Sequence, residues 1–403
     1  MALLLSLFQG TGLVTDKRPR KVLIAQLNSV RSYRVRFYEV LEQRRPPTWQ
    51  FQVVHDCDPK RVRMLYHVYI DPATFRFPIL DVRTFFLSDR RRDLVWQNFL
   101  LKSRHYDMIV TDTVLSNLTY LFINIWRLCG KKRGFWGHSA NLNVQPSESS
   151  FTQQIGRHVK PWLIRSADMF FAYTRGEYEN LLRLGFSPDR IVVLNNTIDT
   201  ATERKTFLEL LPLRECIREE LGLEGREIVV YLGRLMGIKC LDLLFEAVTE
   251  LRRERPQVCL VVAGSGPGKP DVLRQVEKLG PEAARHFDCN DEAAAARLLT
   301  AADLYCLPGQ VGLAPLRALC YDLPVVFLDQ PFHSPEVEYL TPANSRMLPA
   351  DVSAQEFAAG LAAALDYWKT PEQRAQLFPT IAHLTIENMV DNFIEGVNRA
   401  LKL

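Results

Sequence analysis

Residues 228–329 repeat one local pattern, and that repeat limits the folds open to the chain. An apolar run leads into a turn rich in glycine or polar residues, and a stretch of helical periodicity follows. The segments read IVVYLGRLMGIKCLDLLFEAV, VCLVVAGSGPGKPDVL and DLYCLPGQVGLAPLRALCYDLPVVFLD. Unbroken apolar runs suit strands covered on both faces. Strands alternating with helices pair in parallel and build a doubly wound sheet. Such a sheet takes its ligand at the carboxyl ends of its strands. The first of those ends carries Gly233 and Arg234, with Lys239 five residues on. The last carries Pro308, Gly309, Gly312 and Leu313 at the start of a helix. Two cations and a helix start at one crevice suit a phosphate or diphosphate. No GxxxxGK[ST] or GxGxxG follows a strand, so the usual nucleoside triphosphate and dinucleotide fingerprints are missing.

The first half alternates in the same way. Residues 21–27 (KVLIAQL), 107–111, 169–173 and 190–194 read as strands, with helical stretches between them. A chain of 403 residues exceeds one core. The expected fold class is α/β, with two doubly wound, Rossmann-like domains. One domain spans residues 1–200 and the other 201–385. A last helix occupies 386–403, with Met389, Phe393, Ile394 and Val397 on one face.

The eight cysteines have no CxxC spacing and several fall in apolar runs, so they read as reduced core residues of a cytoplasmic protein. Residues 1–14 are mostly apolar but too short to span a bilayer. The charge is uneven. Residues 1–200 hold 29 Lys and Arg against 17 Asp and Glu, and residues 201–403 hold 21 against 29. Basic clusters lie at residues 17–21, 31–36, 90–92 and 131–133. Either the first half meets an anionic partner, such as a membrane surface or a lipid-diphosphate acceptor, or it carries a solvated basic face.

The "GRL…K", "GSGP" and "PGQVGL" turns, with "GFWGHSANLN" in the first half, together resemble the group-1 (family 4) retaining nucleotide-sugar glycosyltransferases of the two-domain GT-B fold. The resemblance implies two domains facing across a cleft and a last helix that crosses back to the first. The second domain would bind a nucleotide-diphosphate sugar and the first an acceptor, a glycan or lipid-linked glycan. Transfer would proceed with retention and without a metal. The nucleotide sugar is the substrate, and no cofactor or nucleic acid is expected. Contact with an anionic membrane at its periphery is open.

Arg234 and Lys239 would neutralise the diphosphate as the glycosidic bond breaks. Gly233, Gly264, Gly309, Gly312 and Leu313 form the donor-binding turns. The resembled family carries glutamates where this chain has Gly309 and Arg317. Arg317 therefore either reaches a phosphate or is solvated. Glu336 either binds ribose or sugar, or caps a helix. His138, with Asn141, either hydrogen-bonds a sugar hydroxyl or is structural. Arg31 and Arg34 follow the first strand and either meet an acceptor or belong to the basic surface. Asp56-Cys57-Asp58 has the spacing of a metal-binding pair but reads as a solvated turn. Two further readings are a weakened nucleotide-sugar-binding protein and an epimerase or hydrolase of the same fold.

Overall fold

The computed structural model describes residues 18–26, 28–64, 69–87, 94–114, 116–138, 164–289 and 291–403. Asn141, residues 90–92 and the apolar segment 1–14 lie outside the described residues. The chain divides into two compact units. One comprises Met1–Trp136, Ser166–Met169 and Ile394–Leu403, and the other Gly137–Arg165 and Phe170–Phe393.

In the first unit, β1 (Arg20–Ala25) is the apolar run of the sequence, and Val22 to Ala25 are fully buried. It lies between β2 (Trp49–His55) and later strands. After β3 (Ile79–Asp81), a small antiparallel ribbon forms from β4 (Thr84–Phe86) and β5 (Val95–Gln97). The strands β6 (Met108–Thr111) and β7 (Lys132–Gly137) continue the run as β3-β2-β1-β6-β7. Registers such as Val22↔Phe51 and Val22↔Met108 place β1 at its centre. The helix Ser32–Arg44 buries Phe37, Tyr38, Val40 and Leu41, the spacing of one helix face. At the end of the chain, Asn398 Oδ1 accepts from Trp49 Nε1 at 3.0 Å.

The second unit holds the parallel pair β8 (Met169–Ala172) and β9 (Ile191–Val193), and a six-stranded parallel sheet. Its strands are β10 (Glu227–Leu232), β11 (Val258–Ala263), β12 (Ala284–Phe287), β13 (Leu304–Leu307), β14 (Val325–Leu328) and β15 (Ser345–Leu348). They run in the order β12-β11-β10-β13-β14-β15. The direction of winding reverses between β10 and β13, which makes their carboxyl ends the switch point where such sheets bind ligands. The edge strands β12 (ARHF) and β15 (SRML) have no apolar run, so the sequence pattern passes over them. Below β10 and β13, Asp303 receives Arg214 at 2.7 Å, Arg218 at 2.9 Å and Arg374 at 3.2 Å, and it also accepts from Ile228 N at 2.8 Å. Burial alone would raise its pKa, but the three guanidinium groups hold it below the ordinary carboxylate value.

Three readings of charged residues are corrected by the structure. Asp56 is fully buried rather than solvated. Arg61 Nε and a second guanidinium nitrogen bind it at 2.9 and 2.8 Å, and Thr84 N and Asp58 N donate to it at 2.8 and 3.0 Å. Arg133, in the basic run 131–133, is also buried. It donates to Ile109 O at 3.2 Å and Asn124 Oδ1 at 3.2 Å, and burial pushes its pKa down to about 9. Arg34 is buried beneath the Tyr33 and Trp136 rings, 4.9 and 5.1 Å from their centroids, so it is not part of a surface. Clusters of basic letters do not report which face of the backbone each side chain takes.

Candidate active site

Three turns meet at the switch point of the second unit, and their backbones pack too closely for side chains. The turn after β10 is tied to the turn after β11. Gly233 N donates to Ala263 O at 3.0 Å, Leu235 N to Ser265 O at 2.9 Å, and Gly268 N to Leu235 O at 3.0 Å. A Cβ on Gly264, which has φ +137°, would lie 1.9 Å from Gly233 O. The turn after β13 approaches from the other side. Gln310 N donates to Ile238 O at 3.1 Å, and a Cβ on Gly309 would lie 2.1 Å from that same oxygen. Gly264 and Gly309 are thus fixed by backbone meeting backbone. Gly312 differs, because the nearest atom to its virtual Cβ is Ser334 Oγ at 3.9 Å.

Lys239 joins the two sides. Its Nζ donates to Gln310 O at 2.6 Å, and burial lowers its pKa. One carbonyl leaves the ammonium with further protons to give, and a partly desolvated cation gains from an anion brought to it. Arg234 follows β10 directly with its side chain exposed, while its carbonyl accepts from Tyr231 Oη at 2.8 Å. The backbone that carries Arg234 is therefore fixed. Leu313 precedes the helix Ala314–Cys320, whose Pro315 supplies no N–H, so this helix start offers fewer donors than the sequence pattern implies.

His333 orients the turn after β13. Its Nδ1 accepts from Val311 N at 3.0 Å, and its Nε2 lies 2.8 Å from Leu328 O. Gln330 N also points at Nε2, at 3.2 Å, but the shorter bonds to Val311 N and Leu328 O assign the proton of the neutral imidazole to Nε2, which then donates to Leu328 O. Burial keeps its pKa below the ordinary value, consistent with that form. Ser334 N adds a bond to Val311 O at 3.0 Å.

Glu336 and His138 lie in another neighbourhood of the same unit, around Tyr173. The His138 ring meets the Tyr173 ring edge-on at 4.8 Å. Asn196 N donates to Tyr173 O at 2.8 Å, and its side-chain amide donates to Glu336, which is buried. Glu338 accepts from Arg175 N and Gly176 N, both at 2.8 Å, at the start of the helix Arg175–Arg183. Glu336 itself sits in the 3-10 helix Pro335–Tyr339. Residues 333–338 therefore link the turn after β13 to segments 173–176 and 195–196. The sequence marked HSPEVE as polar, but not that its side chains connect distant turns.

Arg317 is neither solvated nor grouped with Lys239. Its Nε donates to Glu203 at 3.1 Å, and a second nitrogen meets Glu292 at 2.7 Å. Tyr321 Oη donates to the same Glu203 at 2.9 Å. In the first unit, Arg31 precedes the helix Ser32–Arg44. The structure thus brings Gly233, Arg234, Lys239, Gly264, Gly309 and Gly312 to one switch point and leaves Arg317 in an ion pair.

Residues 214–377 match the family "Glycosyl transferases group 1". A D-inositol 3-phosphate glycosyltransferase of Kineococcus radiotolerans is 30% identical over 247 residues, which is 55% of this chain and 54% of that protein. The chain thus spans about half the length of this curated relative. Among solved structures, Anabaena Alr3699/HepE in complex with UDP superposes with a TM-score of 0.66 at 15% identity, covering 94% of this chain and 99% of that one. The UDP-GlcNAc 2-epimerase of Neisseria meningitidis gives 0.61 at 14% identity, covering 95% and 100%. At such identities these likenesses establish the fold, the two Rossmann-like domains of GT-B proteins. Over residues 214–377, the chain is similar to the group 1 glycosyl transferases.

Proposed function

We propose that this protein transfers a sugar from a nucleotide-diphosphate donor to an acceptor hydroxyl, with retention and without a metal ion. The observation that carries the reading is Lys239, held half-buried between the turns after β10 and β13, with Arg234 on the same turn. In this reaction the bond from the anomeric carbon to the diphosphate oxygen breaks. The electron pair leaves with the nucleoside diphosphate, the acceptor hydroxyl oxygen forms the new bond, and its proton passes to the leaving diphosphate oxygen. Charge grows on the leaving oxygen, and preorganised cations stabilise it most where water is excluded. Asp56 is already occupied by Arg61, which favours a reaction without a metal at that pair. The acceptor we favour is a glycan or lipid-linked glycan, and His138 would face its site or the transferred sugar.

A binder of nucleotide sugars with little turnover is the second reading. It is favoured by Gly309 and Arg317, which stand where the resembled family carries glutamates. An epimerase or hydrolase shares the fold. The test is to incubate purified protein with uridine and guanosine diphosphate sugars, with and without acceptor saccharides. Acceptor-dependent release of nucleoside diphosphate with a glycosidic product supports the transferase. Release without acceptor indicates hydrolysis, isomerised nucleotide sugar indicates epimerisation, and binding without any conversion indicates a binder.

A further inference from the structure

An apolar strip stands exposed on the first unit. Leu128 is 88% exposed, Phe122 56% and Ile125 55%. Residues Ile123–Cys129 form a 3-10 helix, which turns every three residues. That winding puts Ile125 and Leu128 on one edge, continued by Phe122. It turns the alternate edge inward, where Ile123 is buried and Trp126 Nε1 donates to Leu100 O at 3.0 Å and Ser103 Oγ at 2.9 Å. The register is therefore fixed by Trp126, and the three apolar side chains are held outward.

The strip continues onto the β4–β5 ribbon. The Trp96 ring meets Phe122 at 5.9 Å, and Trp96 pairs across the ribbon with Phe85, itself 41% exposed. Cations rim it. The Arg83 guanidinium lies 5.3 Å from the Phe85 ring centre, Arg127 lies within the 3-10 helix, and Lys131 follows that helix by two residues in the sequence. Asp168 meets Arg127 at 3.8 Å and Lys132 at 3.1 Å, so one carboxylate is shared between two cations. Contiguous exposed apolar side chains mark an interaction surface. Apolar side chains beside aromatic rings, rimmed by cations, match the layering of a bilayer surface: acyl chains, interface and anionic head groups.

We infer that the strip Phe122, Ile125 and Leu128 docks this protein on the surface of an anionic lipid bilayer. The strip is too short to span, and among the described residues no helix is long and apolar enough to cross a membrane. Binding is interfacial and needs both parts, because apolar burial and attraction to anionic lipid each contribute. The buried Arg133 takes no part, so the charge term rests on Arg83, Arg127 and Lys131.

The experiment is flotation of the full chain with vesicles of phosphatidylcholine, alone or with phosphatidylglycerol. We expect partition into the anionic vesicles only. The double variant Ile125→Ser, Leu128→Ser should lower it by about tenfold or more with unchanged thermal stability, since both side chains are exposed. Lys131→Glu should lower it at low salt and less at high salt. Nucleotide-sugar binding, measured without vesicles, should stay the same in all variants, so failure here is separable from failure of the transferase reading. No partition of the wild type, or equal partition of the double variant, overturns the proposal. A wild-type dimer that the double variant converts to monomer also overturns it, because the strip is then a face between two copies.

Discussion

His333 and Val311 are joined by a hydrogen bond of 3.0 Å that requires a neutral ring, because Val311 N donates to His333 Nδ1. Its partner bond to Leu328 O fixes the turn after β13 to the end of β14. Protonation would place an N–H against an N–H. With the folded pKa lowered, the unfolded chain binds the proton first as pH falls. The neutral ring's stability is fully present above the ordinary histidine value of about 6.5 and is lost below it, levelling off under the folded pKa. Thermal melts from pH 7.5 to 5 should show a decline that His333→Gln makes shallower. An unchanged slope in the variant would remove His333 from the account. His55, also lowered by burial, contributes its own part of the decline in both proteins.

Lys239→Met should reduce kcat/KM for the sugar donor by roughly 10- to 150-fold, the equivalent of losing one charge-assisted contact of about 1.5–3 kcal/mol. Arg234→Ala should also reduce it, with no change in melting temperature, because its side chain is exposed. Steady-state kinetics with saturating acceptor reads both. Wild-type turnover in the two variants would exclude the diphosphate assignment.

The two glycines after β13 should respond differently to the same methyl group. Gly309→Ala forces a Cβ against Ile238 O and should cost on the order of 1–3 kcal/mol, with donor affinity falling as the turn shifts. Gly312→Ala meets nothing closer than 3.9 Å and should fold normally. Chemical denaturation of both variants measures the contrast, and equal stabilities would contradict the packing of these turns.

Asp303→Ala should destabilise the second unit by about 3–5 kcal/mol, because it leaves Arg214, Arg218 and Arg374 without their shared carboxylate. The wild-type contribution is present above the ordinary carboxylate pKa and is lost as pH falls through the lowered one. Urea melts at neutral pH should register the loss, and a variant as stable as the wild type would show that this cluster adds nothing.

Sugar transfer should survive a chelator such as EDTA and gain nothing from added magnesium or manganese. Asp56 already accepts from Arg61, Thr84 N and Asp58 N. Activity abolished by chelation and restored by manganese would overturn the metal-free reading.

The repeat of apolar runs in residues 228–329 was enough to give a parallel sheet, because buried strands need unbroken apolar sequence and their helices need the 3.6 period. The same repeat put Gly233, Arg234, Lys239 and Gly309 at strand ends, since turn position follows from strand position. The edge strands β12 and β15 escaped it, because an edge is half covered and tolerates polar residues. Side-chain partners escaped it too. Glu203 is 114 residues from Arg317, and Asn196 is 140 from Glu336. Those pairs follow from how helices and turns settle onto the sheet, and local sequence carries no record of that. For the same reason Asp56 and Arg133, which read as surface charges, and Arg34, which read either as meeting an acceptor or as part of the basic surface, prove to be buried, and only the tertiary structure decides that.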